Sequence, residues 1–244
     1  MRPTLLTLFL TLCSTTYAAA QLDEVLKKAD SALEHNEDHR DTSGLSDDKI
    51  VSGLKEALQL STGKAVASTG KPDGFLKNEA IKILLPPKLE TAGKALRLLG
   101  MGEKVDELEV GMNRAAEQAT PAAKQIFLSA LKKMTFTDAR HILTGDDTAA
   151  TEYFKRTSSA DLTTAFSPIV HRAMERVGVV QQYDRVIKDA PGGSMIAQEF
   201  DLDKYVVGKT LDGLFYMLGE EEKKIRKDPL HQTTALLKEV FGRK

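Results

Sequence analysis

Apolar side chains recur at three- and four-residue spacing along most of this chain, the period of an α-helix buried on one side. Ile50, Leu54, Ala57 and Leu58 open the pattern, which extends to Val66, and Ser46 stands where a capping side chain belongs. Lys71-Pro72-Asp73-Gly74 follows as a turn, with proline fixing one φ and Gly74 free to take the left-handed conformation. Leu89 to Leu99 is amphipathic and closes at Gly100, and the stretch from Glu103 to Gln118 sets Leu108, Met112, Ala115 and Ala119 within a narrow arc. Thr120 and Pro121 supply an N-cap and a first-turn proline for the next helix, whose face is Ile126, Phe127, Ala130, Leu131 and Met134.

Shorter helices are predicted beyond that point. Thr137 is read as the cap of Asp138 to Leu143, with Gly145 as the stop. Asp147 or Thr148 starts the piece bearing Tyr153 and Phe154, and Ser159 starts another that Pro168 kinks or splits before Ile169 to Val177; Gly178 ends it. Asp189 to Glu199, with Pro191, Gly192 and Gly193, reads as a loop. The last long helix aligns Val207, Leu211, Leu214, Leu218 and Ile225 in one stripe, widened by Phe215, and this stripe is assigned to the core. Gly208, Gly213 and Gly219 interrupt it, each costing roughly 1 kcal/mol relative to alanine in an exposed helix, so close helix approach is their expected reason. Asp228-Pro229 ends the helix, and Leu236, Leu237, Val240 and Phe241 form a closing one before Gly242.

Period-two alternation occurs once, from Ile81 to Leu85, and Pro86 and Pro87 end it, which allows at most one short strand pair. The expected fold is therefore a compact, multi-helix, bundle-like all-α domain over residues 46–244. Upstream, residues 21–45 hold a short amphipathic helix, Leu22 to Leu33, and a hydrophilic acidic linker. Residues 1–20 carry Arg2, an apolar run from Leu5 to Leu12, and small residues at Ala18 and Ala20, the layout of a secretory signal peptide cleaved near either alanine. The run is too short to span a bilayer, so no integral membrane segment is expected after cleavage. Cys13 raises lipid attachment as a lesser option, since Leu12 fills the place where such a site wants a small residue. A periplasmic or secreted protein follows.

Composition narrows the function more than it defines it. With 34 Lys and Arg against 35 Asp and Glu the net charge is -1, so a nucleic-acid partner is not expected. Cys13 is the single cysteine, so the mature domain depends on packing rather than on an internal disulfide. Gly208-Lys209-Thr210 looks like the end of a phosphate loop, but Asp203 stands where the first glycine is required. Ser-x-x-Lys occurs at Ser52/Lys55, Ser61/Lys64 and Ser129/Lys132 without its companion motifs, and Asp201 and Asp203 begin a calcium loop that is not continued. His35 and His39 share a helix face beside acidic residues, yet they lie in a hydrophilic linker that would not orient a metal; no metal or cofactor is assigned.

The candidate site residues are polar groups on apolar helices. Asn113, Arg114 and Glu117 lie opposite the Leu108/Met112 stripe, and either face solvent or form a buried network that joins helices or lines a pocket. Asp138 and Arg226 are their candidate partners in the buried case. Glu220 with Lys224 and Glu222 with Arg226 read as four-residue ion pairs on an exposed face.

Several segments together resemble the bacterial family known as domain of unknown function four-one-nine-seven. They include Gly53-Leu54-Lys55-Glu56-Ala57-Leu58, Gly74-Phe75, Asn113-Arg114-Ala115-Ala116-Glu117, Ile142-Leu143-Thr144-Gly145, Pro168-Ile169-Val170 and Gly213-Leu214-Phe215. The likeness runs from about Ser46 to Gly242, and Leu84 stands where proline is expected. It implies an exported, helical envelope protein of Gram-negative bacteria and brings no activity or catalytic residue with it. The reading that results is a periplasmic, non-enzymatic protein that binds an apolar small molecule or an envelope protein. The alternative is a periplasmic hydrolase using a carboxylate such as Glu117 or Asp138 as acid or base.

Overall fold

The computed structural model describes residues 47–176, 178, 179, 181, 183–185 and 200–227. Seven α-helices have defined bounds among them: α1 (Asp47–Gly70), α2 (Pro87–Leu98), α3 (Gly102–Ala119), α4 (Ala123–Lys133), α5 (Phe136–Thr144), α6 (Ala149–Arg176) and α7 (Leu202–Lys227). No strand is present among the described residues, and the all-α expectation holds. The signal segment, the 21–45 region with His35 and His39, the cap at Ser46, the loop from Asp189 to Glu199, and the closing helix after Asp228 lie outside the described residues.

α7 packs most extensively on α6 and α1, α3 crosses α6, and α4 fills the space between α1 and α6. Their inward faces meet in one core around Phe75, Phe127, Phe154, Phe166, Leu108 and Met112, all fully buried. Phe127 lies edge-on to Phe154 at 5.1 Å and to Phe215 at 6.2 Å between ring centroids, the geometry that aligns a positive ring edge with a negative face. α2 packs chiefly on α3, and its end is a Schellman motif: the Met101 N–H donates to Leu96 C=O at 2.8 Å, the Gly100 N–H donates to Arg97 C=O, and Gly100 takes φ 79°. The motif turns Leu96 and Met101 inward and leaves Leu98 and Leu99 exposed at the tip.

Several local expectations change for identifiable reasons. In the turn after α1 the Gly74 N–H donates to Lys71 C=O, and Asp73, not Gly74, has the positive φ of 65°. Asp73 follows Pro72 and so holds the third turn position, where this conformation is needed. Gly74 is glycine for another reason, since a Cβ there would lie 2.5 Å from the carbonyl oxygens of Ser68 and Thr69. Thr120 is no N-cap: its hydroxyl donates back to Ala116 C=O, and a short 3-10 turn, Thr120–Ala122, carries the chain from α3 into α4. The cap of α5 is Thr135, two residues before Thr137, in a reciprocal capping box with Asp138. Nor does Ser159 start a helix. Its hydroxyl, like those of Thr163, Thr164 and Ser167, donates to the carbonyl four residues earlier, and α6 runs unbroken past the exposed Pro168.

Candidate functional site

The alternating segment at Ile81 to Leu85 forms no strand: Ile81 closes a turn on Asn78, residues 82–85 have no regular secondary structure, and Ile83 is partnered by a side chain. Asn113 on α3 accepts the Ile83 N–H at 2.9 Å through Oδ1 and donates through Nδ2 to the Ile83 carbonyl at 2.8 Å. A carboxamide presents an acceptor and a donor side by side, as a facing peptide group would. One turn on, Glu117 accepts the N–H groups of Phe75 and Leu76 at 3.1 and 3.2 Å through Oε1 and the Arg114 guanidinium at 2.7 Å through Oε2. Arg114 also reaches Asp73 at 2.6 Å. The carboxyl of Asp73 is held below the usual carboxylate range by Lys77 first and Arg114 second. Asn113 and Glu117 are buried and Arg114 is part-buried, and the three fasten the 73–85 segment to α3 at two separate points, Asn113 at Ile83 and the Glu117–Arg114 pair at residues 73–76.

The other two candidates belong to different networks. Asp138 accepts the Thr135 hydroxyl at 2.6 Å and the Thr135 N–H at 3.0 Å, contacts that hold its carboxyl below the ordinary range, and Arg156 stands 3.9 Å away. Arg226 donates to Glu222 at 2.8 Å and to the Ile142 carbonyl at 2.7 Å. Glu222, assigned to an exposed face by its charged neighbours, is instead only 4% exposed. Its carboxylate accepts the N–H groups of Ala150 and Thr151 at 2.9 and 2.8 Å and the Thr151 hydroxyl at 2.8 Å, so a side chain of α7 caps the N-terminus of α6. Glu220 pairs with Lys223 rather than Lys224, which pairs with Glu221. A signal for Glu222 existed in the chain: it fills the place in the Leu218-to-Ile225 stripe where an apolar residue belongs.

The structure also shows a groove that the residue pattern does not single out. It has a volume of about 550 Å³, within the roughly 300–1,000 Å³ of small-molecule sites. Thr163 and Ser167 of α6 form one wall; Val207, Gly208 and Leu211 of α7 lie across from them, with Asp201, Asp203 and Lys204 at the beginning of α7. Of the three glycines of α7, Gly213 is tightly packed: a Cβ there would lie 2.6 Å from Cε1 of Phe75 and 3.1 Å from Cβ of Ile81. The close approach is thus to the 73–85 segment, not to a helix. At Gly219 a Cβ would meet only ordinary contacts, and at Gly208 it would meet no atom of the described residues within 4 Å. Gly208 borders the groove, and Leu211, read as core, is only partly buried because it forms part of the lining.

His171 stands beside this groove on α6. Its Nδ1 is 2.6 Å from Asp203 Oδ2 and its Nε2 is 3.4 Å from Glu175 Oε1, and the Asp203 contact raises its pKa above 6.5. Lys209 and Thr210, the tail of the apparent phosphate loop, lie within α7, paired with Asp212 and with the Val206 carbonyl. Among the described residues no group of three or more metal-ligating side chains comes together, and no helix is long and apolar enough to cross a membrane.

Helices fastened by buried side-chain clips, with a groove between the two longest packing partners, define a compact all-α protein. The chain belongs to the family described as protein of unknown function DUF4197, which matches residues 44–242. No curated protein and no solved structure matches it.

Proposed function

We propose that this protein is an exported, non-enzymatic binding protein of the bacterial cell envelope that takes an apolar or amphiphilic small molecule between α6 and α7. The observation that carries the reading is Gly208. A mid-helix glycine costs roughly 1 kcal/mol relative to alanine, and among the described residues no neighbouring atom requires one at this position. The space above it is the groove, bordered by Val207 and Leu211. Gly63 in α1 is equally open but is not part of that lining, which makes it a control. The carboxylates favour binding over hydrolysis: Glu117 and Glu222 are engaged by backbone amides and arginines, and Asp138 is held low by Thr135.

Native mass spectrometry of the mature protein, released gently from the periplasm, tests this. A reproducible added mass, extractable into organic solvent, is expected for wild type and for Gly63→Ala, and is lost when Gly208→Leu fills the groove. Absence from the periplasm, or a bare protein mass in all three, overturns the reading.

A further inference from the structure

His171 belongs to none of the clips that build the fold, yet it joins the two walls of the groove. It projects from α6, is half exposed, and meets Asp203 in the first turn of α7, a residue of the groove's border. Among the described residues, the charged groups that act on it are Asp203 from α7 and Glu175 and Arg172 from α6. An imidazolium has two N–H donors and so serves both carboxylates at once; a neutral ring has one proton and can serve only one of them.

We propose that His171 is a pH-sensitive clasp that fastens the start of α7 to α6 and sets the charge of the groove's border. With His171 protonated, Asp201 and Asp203 are offset by Lys204 and the imidazolium, and the border is neutral. With His171 neutral, one negative charge is left over, beside a more loosely held helix start. Asp203, the strongest influence on the ring, favours the protonated form and moves this change above 6.5, where a cell envelope open to its surroundings meets it. The effect on ligands rests on the groove being the binding site; the clasp itself does not.

Two measurements on the full mature protein keep those apart. Histidine side-chain NMR is expected to show His171 titrating above 6.5, with the backbone amides of residues 202–206 shifting at the same midpoint, and Asp203→Asn is expected to lower that midpoint. His171 titrating at its ordinary value, or α7 amides that ignore it, overturns the clasp. Binding of the anionic dye anilinonaphthalene sulfonate is then expected to weaken several-fold as pH rises through the same midpoint, and His171→Gln to remove that step. Dye that binds at the Gly208-sensitive site without a pH step overturns the charge effect and leaves the groove intact. Dye that fails to bind at any pH, with the NMR coupling present, overturns the groove reading and leaves the clasp.

Discussion

The carboxamide of Asn113 pairs with both backbone groups of Ile83, thirty positions earlier in the chain, accepting its N–H and donating to its carbonyl. A buried irregular segment inside a helical protein is stable only if its peptide groups find partners, and at Ile83 one side chain supplies both. Each buried group left unpaired costs about 1–3 kcal/mol. Asn113→Ala is therefore expected to lower unfolding stability by about 2–5 kcal/mol, measured by urea denaturation. A loss below 0.5 kcal/mol, on the order of a surface substitution, contradicts this account.

The glycines of α7 divide by the same kind of test. Gly213→Ala forces the Phe75 ring and Ile81 to move and is expected to destabilise by about 1–3 kcal/mol, the usual cost of overpacking. In a Phe75→Leu background the penalty is expected to shrink, because the atom nearest the added methyl is gone. Gly208→Ala is expected to raise thermal stability, by up to about 1 kcal/mol, as helix propensity alone dictates. Paired melting curves of the two single variants decide it.

Glu222 holds two helices together through the buried first-turn amides of α6, with Arg226 as counter-ion. Removing one partner of a buried charge pair costs about 3–5 kcal/mol, so Arg226→Leu and Glu222→Ala both belong in that range. Arg114→Leu is expected to cost less, about 1–3 kcal/mol, because Arg114 is one-third exposed and water can replace part of its contact with Glu117. Equal losses at positions 114 and 226 in chemical denaturation would refute that ordering.

The start of α5 separates two neighbouring threonines. Thr135→Ala removes the observed cap and is expected to cost about 1 kcal/mol, whereas Thr137→Ala is expected to stay within about 0.5 kcal/mol. The Asp138 half of the box is pH-linked. Its folded pKa lies below the ordinary aspartate value of 3.8, so its contribution is present above that value and is lost as pH falls through the lowered one. Acid titration monitored by circular dichroism should show Thr135→Ala converging on wild type at the acid end.

Helix positions were legible in the chain because helix period is a local property: α2, α3 and α7 begin and end within a few residues of where their stripes and stop signals place them. Finer assignments failed where two similar signals compete a few residues apart, as with Thr135 and Thr137, or where a serine or threonine can either cap a helix or donate back within it, as at Thr120 and Ser159.

What the sequence by itself determined is the all-α class, most of the helix faces and the stop glycines at Gly100 and Gly178, while Asn113, Arg114 and Glu117 stood out as polar residues on an apolar helix with their burial left open. Tertiary structure alone decided what those residues bind, that Glu222 is buried, that Gly213 makes room for Phe75 while Gly208 opens onto a groove, and that His171 meets Asp203. The reason is one of range. Periodicity and capping follow from residues within a turn or two of each other, whereas the partner of a buried amide, carboxylate or imidazole is set by which helices cross, and those partners lie between thirty and more than seventy residues away along the chain.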